Sequence, residues 1–187
     1  VELPEEFVMD RIIESGKVAQ ELGAKIVGLG AFTSIVGDAG ITVAKNLDIA
    51  VTSGNSYTVA TAIQGTKQAA RMMGKDLKEC RAVVVGATGS IGAASVRLLA
   101  KEVKHITLVA RHMGPLEELA QELIEQNHCE VAVSQDIRTS LQEADIVITV
   151  TSALDFLIEP GDLKPGAVVC DVARPRNVSR DVSLKRN

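Results

Sequence analysis

The 187 residues are 46% hydrophobic and only 2% aromatic, which is enough apolar chain for one sizeable core, or one core and a smaller lobe, without disulfides or metals. A formal charge of −4, with no block of Lys or Arg and no Trp, argues against a nucleic-acid surface, which needs clustered positive charge and stacking aromatics. Cys80, Cys129 and Cys170 are widely spaced and form no Cys-x-x-Cys pair, so reduced thiols are expected and neither a disulfide framework nor a bound metal is.

From the N-terminus, Val8, Ile12, Ile13, Val18, Ala19 and Leu22 recur at helical spacing. With Glu5 and Glu6 in the first turn and Gly23 beyond, they predict a helix over residues 5–22. A short strand over 25–30 is followed by a loop containing Phe32, Gly37 and Gly40. A second strand over 48–52 runs into Ser53-Gly54-Asn55-Ser56, a turn-and-cap cluster that opens a helix over 58–73 with Gly74 as its C-cap.

From Ala82 the pattern becomes regular. Strands are predicted at 82–85, 106–109, 130–133, 146–150 and 167–171, and helices at 90–103, 115–126 and 138–143. Strand and helix alternate with short links, which requires a parallel sheet. The expected fold is therefore α/β: a Rossmann-type doubly wound parallel sheet over 78–187, with a small α/β lobe over 1–77. No apolar run approaches the roughly 20 residues of a membrane span, and Val-Glu-Leu-Pro-Glu-Glu is unlike a signal peptide, so a cytoplasmic protein is expected. The chain starts without Met and stops at Leu184-Lys185-Arg186-Asn187, after a strand-like segment and with no closing helix expected. A fragment of a longer protein is the expectation.

Directly after the strand that ends at Val85 stands Gly86-Ala87-Thr88-Gly89-Ser90-Ile91-Gly92, and a helix follows. Such a turn brings backbone N–H groups and the positive end of a helix against a pyrophosphate. Its first step is one residue longer than the dinucleotide fingerprint, but the mechanism is the same. Gly86 to Ile91 are the candidate phosphate contacts; Thr88 and Ser90 offer hydroxyls, which equally suit a helix N-cap.

At the end of the second strand of this unit an NAD site carries Asp or Glu for the ribose hydroxyls. Here the chain reads Ala110-Arg111-His112. A guanidinium can grip a 2′-phosphate that a carboxylate would repel, so NADP(H) is favoured, with Arg111 and His112 as its contacts. Thr149, Thr151, Ser152 and Ala153 follow the fourth strand, where such sheets present the nicotinamide half of the cofactor. Arg174 and Arg176, after the last strand, suit an acidic substrate group or a solvated loop.

In the first 77 residues, two polar loops follow two strands: Gly30, Phe32, Thr33 and Ser34, then Thr52, Gly54, Asn55 and Ser56. They are candidate substrate contacts, in a lobe beside the cofactor crevice. Plain glycine-rich turns have the same composition.

Three motifs in order, Gly-Leu-Gly-Ala-Phe-Thr-Ser-Ile-Val at 28–36, Thr-Ser-Gly-Asn-Ser-Tyr-Thr at 52–58 and Val-Val-Gly-Ala-Thr-Gly-Ser-Ile-Gly at 84–92, resemble the long-chain acyl-(acyl-carrier-protein) reductases. These are the fatty-aldehyde-forming enzymes of cyanobacteria and their bacterial relatives, and the likeness runs from about Lys17 to Asn177. It implies reduction of a fatty acyl thioester by NADPH through an acyl-cysteine. The acyl substrate would be a small molecule or carrier-bound, and a homo-oligomer is compatible with the resemblance. In that family the acyl-accepting cysteine lies well downstream of the last Rossmann strands. None of Cys80, Cys129 and Cys170 matches it, so no catalytic residue is assigned. The chain more distantly resembles shikimate dehydrogenase-like and glutamyl-tRNA reductase-like proteins. A shikimate-type Lys/Asp pair has only Lys45, Lys67 and Asp38 to draw on, and their spacing does not support it. A small-molecule alcohol or amino-acid dehydrogenase is the second reading, and a nucleotide-sensing module without chemistry is the third.

Overall fold

A computed structural model describes residues 3–34, 36–126, 129–153, 155 and 157–186. Ile35, within the first of the three motifs, lies outside the described residues. The chain divides into two compact units, 1–57 and 58–187.

In the first unit, helix α1 (Glu5–Glu21), strand β1 (Ile26–Gly28), a 3-10 turn (Ala31–Ser34), helix α2 (Ile41–Lys45) and strand β2 (Ala50–Thr52) follow one another. The two strands pair in parallel, Gly28 opposite Thr52, so both polar loops leave the same end of this small sheet. Along α1, Val8, Ile12, Ile13 and Ala19 are partly buried, while Val18 and Leu22 of the expected stripe are exposed. Gly16 is the buried position of this helix. A Cβ there would stand 2.5 Å from Leu47 Cδ1, a side-chain end that must move to admit it. The carboxamide of Gln20 closes the unit against Asp48, donating to its carboxylate (2.9 Å) and accepting its backbone N–H (2.8 Å).

Helix α3 (Asn55–Met72) runs from the end of the first unit into the second. Its buried residues Val59, Ala62, Ile63, Thr66 and Ala70 recur at helical spacing, and Val59, Ile63 and Ala70 belong to the main core of the second unit. The division therefore falls before Thr58 and not after residue 77, where the sequence placed it. Strand β3 (Arg81–Val85), helix α4 (Ser90–Leu99), strand β4 (His105–Val109), helix α5 (Met113–Gln126), strand β5 (Glu130–Ser134), helix α6 (Ile137–Leu141), strand β6 (Ile146–Thr149) and strand β7 (Val168–Asp171) follow. A short helix α7 (Arg180–Lys185) comes last, where no closing helix was expected.

The sheet runs in the order β5-β4-β3-β6-β7 with every pair parallel. It is the expected Rossmann-type α/β sheet. The chain winds outward from β3 to β5, then returns to place β6 on the other side of β3, which makes the β3/β6 boundary the topological switch point. Both faces are covered. Ala82, Val84, Ile106, Leu108, Ile146 and Ile148 pack with Ile63, Val96, Leu99, Leu116 and Leu123. On the opposite side Val83, Val85, Val109 and Val147 pack with Leu141, Ala144, Ile158 and Leu163. Burial on both faces explains why these strands read as continuous apolar runs.

At the opposite end of the sheet, Asp145 precedes β6 and accepts from the ammonium groups of Lys164 (2.7 Å) and Lys75 (3.0 Å) and from the backbone N–H of Arg81 (3.0 Å). Burial works to raise its pKa. The hydrogen bonds from Lys164, Arg81 and Lys75 outweigh that and hold it at about 2.

Candidate functional site

The loop between β3 and α4 sits at the switch point, and its glycines are there for contact. Gly86 has φ +87°, and a Cβ on it would lie 3.1 Å from Thr151 N and Val150 C, so the loop runs directly against the chain leaving β6. A Cβ on Gly92 would lie 2.1 Å from Gly86 O and 2.9 Å from Gly86 C, a backbone collision with no flexible partner to yield. Gly92 is what lets α4 close on the loop. The N–H groups of Gly86 and Ala87 both donate to Val109 O, at 2.8 and 3.1 Å, which hangs the loop from the end of β4. Gly89 is the N-cap of α4 and brings no side-chain cap, so the positive end of a ten-residue helix stands beside the exposed tip at Thr88.

A cavity of about 440 Å³ opens here. It is lined by Gly86, Thr88 and Gly89 of the loop, Arg111 and His112 after β4, and Thr151, Ser152 and Ala153 after β6, so three separately predicted segments converge. Its apolar walls are Val85, Val109, Ala110, Ile137, Val150 and Leu157, and no Asp or Glu is among the lining residues described. The nearby carboxylate of Asp136 is committed to capping α6. It accepts the hydroxyl (2.6 Å) and backbone N–H (3.2 Å) of Thr139, and these hold its pKa low.

Other expected contacts lie elsewhere. Ala87 is fully buried in the core beneath the loop, and Ser90 and Ile91 occupy the first turn of α4 without lining the cavity. Thr149 is buried, and its hydroxyl donates to Asn177 Oδ1 (2.7 Å), so it serves the scaffold and not the cavity wall. Of the N-terminal set, only Thr33 lines a cleft within its own unit, with apolar neighbours such as Ile12, Val27 and Val43. Its hydroxyl and that of Ser34 donate to Gly30 O and Ala31 O (both 2.7 Å), and Phe32 is 73% exposed. Thr52 Oγ1 accepts the Gly54 N–H (3.2 Å), and Asn55 and Ser56 begin α3. Arg174 and Arg176 line a different cleft, with Asp171, Arg180 and Arg186. Lys67 is paired with Glu102 (2.6 Å), and Asp38 accepts from Thr42, so neither supports a shikimate-type pair. None of the three cysteines lines the cavity, and burial raises the pKa of Cys80 and Cys129.

Two residues were missed. Gln135, directly after β5, lines the cavity and donates from Nε2 to Arg111 O. Its place at the carboxyl end of a strand was the available signal. The side chain of Asn177 is joined to Thr149 and Thr151, 28 and 26 residues away in sequence.

Residues 67–187 match the profile of the shikimate / quinate 5-dehydrogenase family. The chain belongs to that family. Among curated relatives, the aminotransferase PigE of a Serratia species is 32% identical over 182 residues, covering 96% of this chain and 21% of the relative. The long-chain acyl-[acyl-carrier-protein] reductase of Synechococcus elongatus is 29% identical over 189 residues, covering 92% of this chain and 52% of the enzyme. This family member thus spans about half or less of the curated relatives it matches. Among solved structures, Thermococcus litoralis Δ1-pyrroline-2-carboxylate reductase, in complex with NADH and L-proline, superposes with a TM-score of 0.57 at 13% identity, over 70% of this chain and 42% of that one. That likeness shows the fold. No helix among the described residues is long and apolar enough to cross a membrane.

Proposed function

We propose that this family member holds NADP(H) in the cavity between Gly86, Arg111 and Thr151, and acts as the nucleotide-binding part of an acyl-thioester reductase. The observation that carries the proposal is the convergence at the switch point of a contact-packed glycine loop, a helix N-terminus and an arginine, in a cavity whose described lining holds no carboxylate. The fit of a dinucleotide rests on that geometry. The loop is held so tightly to Val150 and Thr151 that only glycine suits position 86, and the positive end of α4 faces the place of a pyrophosphate. When bound, the cofactor would supply a hydride. The protein's part is to orient it: Gly86, Thr88 and Gly89 at the pyrophosphate, Arg111 with His112 at the adenosine 2′-phosphate, and Thr151 to Ala153 at the ring. The NADH named with the Thermococcus reductase supports a nicotinamide cofactor for this fold. The Synechococcus relative supports an acyl substrate.

Titration of the chain with NADPH and NADH, followed by nicotinamide fluorescence, tests this. NADPH is expected to bind more tightly, and Arg111→Ala to weaken NADPH at least tenfold, about 1.4 kcal/mol, with little change for NADH. Equal loss for both cofactors would remove Arg111 from the 2′-phosphate, and no binding of either would overturn the site.

A further inference from the structure

Asn177 stands in the segment after β7 and is fully buried. Its Oδ1 accepts the hydroxyls of Thr149 (2.7 Å) and Thr151 (2.9 Å) and the backbone N–H of Thr151 (3.3 Å). A backbone N–H can only donate, which identifies the atom facing it as the oxygen. Its own backbone carbonyl accepts the N–H groups of Leu157 (2.8 Å) and Ile158 (3.1 Å). One residue therefore holds both ends of the segment that leaves β6: Thr151 at its start, and Leu157 at its return. Both of those line the cavity, and Asn177 does not.

The chain of contacts continues on either side. Thr151 Oγ1 accepts the Ala153 N–H (3.2 Å), so the turn carrying Ser152 is fastened through Thr151. Asp171 accepts the N–H groups of Ala173 and Val178 (both 3.0 Å), one on each carboxylate oxygen, and so fixes the loop on which Asn177 is carried. Asn177 Nδ2 is buried with no hydrogen-bond partner among the described residues. Leaving a buried donor unpaired is unfavourable, so the carboxamide is kept in place by what its oxygen gathers.

We propose that Asn177 is a positioning residue: through Thr151 it sets the wall of the cavity that faces the nicotinamide half of the cofactor, without touching the cofactor itself. The inference rests on the dinucleotide reading of the cavity. It predicts a selective effect, because the adenosine end of the site is built on β4 and Arg111, away from the Asn177 contacts.

The test titrates NADPH and adenosine 2′,5′-bisphosphate, which lacks the nicotinamide half, against the unaltered chain, Asn177→Ala, Asn177→Asp and Thr151→Val. Asn177→Ala and Thr151→Val are expected to weaken NADPH tenfold or more while the bisphosphate changes less than twofold. Asn177→Asp, whose oxygens can accept the same donors, should restore most of the affinity. Amide hydrogen exchange without ligand should quicken at Thr151, Leu157 and Ile158 in Asn177→Ala and leave Gly86 protected. Unchanged NADPH affinity, or equal loss of both ligands with β3 and β4 still protected, overturns the role of Asn177 alone. If the unaltered chain binds neither ligand, the reading of the cavity fails. In that case faster exchange confined to Thr151, Leu157 and Ile158 still upholds the clasp, and its absence rejects it.

Discussion

In the five-stranded sheet, β3 and β6 bury every side chain from Ala82 to Val85 and from Ile146 to Thr149, whereas β1 and β2 each leave alternate residues exposed. The same contrast holds for glycine. Gly86 and Gly92 are pressed against backbone, while Gly28, Gly30 and Gly54 have no atom within 4 Å of a Cβ built on them. It holds for charge as well: Asp145 and its two lysines are mostly buried, but Arg11 and Glu14 pair at 64% exposure each. A glycine-rich loop on a sheet covered on both faces is a packing device. Gly30 and Gly54, after the two short strands, make no such contact.

The comparison can be broken most directly at Gly92. Gly92→Ala is expected to cost about 3 kcal/mol or more in urea denaturation, because the new methyl meets backbone and one of the two elements must move. A loss under about 1 kcal/mol would mean that α4 slides without consequence. Next comes Asp145. Its folded pKa of about 2 lies below the ordinary value of 3.8, so its stabilisation is fully present above about pH 4 and is lost as pH falls through 2. Asp145→Asn is expected to lower stability at pH 7 by about 2 kcal/mol and to flatten the acid limb of the stability curve, while Glu14→Gln leaves both unchanged. An unaltered acid limb would place the acid-sensitive group elsewhere. The smallest effect is expected at Gly28. Gly28→Ala should change the denaturation midpoint by no more than about 0.5 kcal/mol, and a larger loss would show that the open face of β1 is covered in solution.

The same difference explains what could be read from the amino-acid sequence. β3 was legible because Ala82-Val83-Val84-Val85 has no polar interruption and ends at Gly86, and β4 and β6 because a single threonine, Thr107 or Thr149, is the one polar residue in each apolar run. Helix α7 was not, because in Arg180–Lys185 only Val182 and Leu184 are apolar and they do not share a helical face. α2 has five residues in a glycine-rich stretch, too short for periodicity to show. At the site, Gly86, Arg111 and Thr151 could be found because each follows a strand, and ligands on such sheets gather at the carboxyl ends. Thr149 was misjudged because it is the last residue of β6, where alternation turns it inward to Asn177. Asn177 has no local signature: its importance comes from meeting residues that the sheet order brings to it.

The carbonyl of Val109 has one further consequence. Because it receives the N–H groups of both Gly86 and Ala87, and Arg111 follows two residues later, the glycine-rich loop after β3 and the turn carrying the guanidinium hang from one peptide group. Their spacing is fixed by covalent geometry and two hydrogen bonds, before any ligand arrives. A dinucleotide would meet a ruler already cut to length, and little of its affinity would be spent on ordering that edge of the receptor.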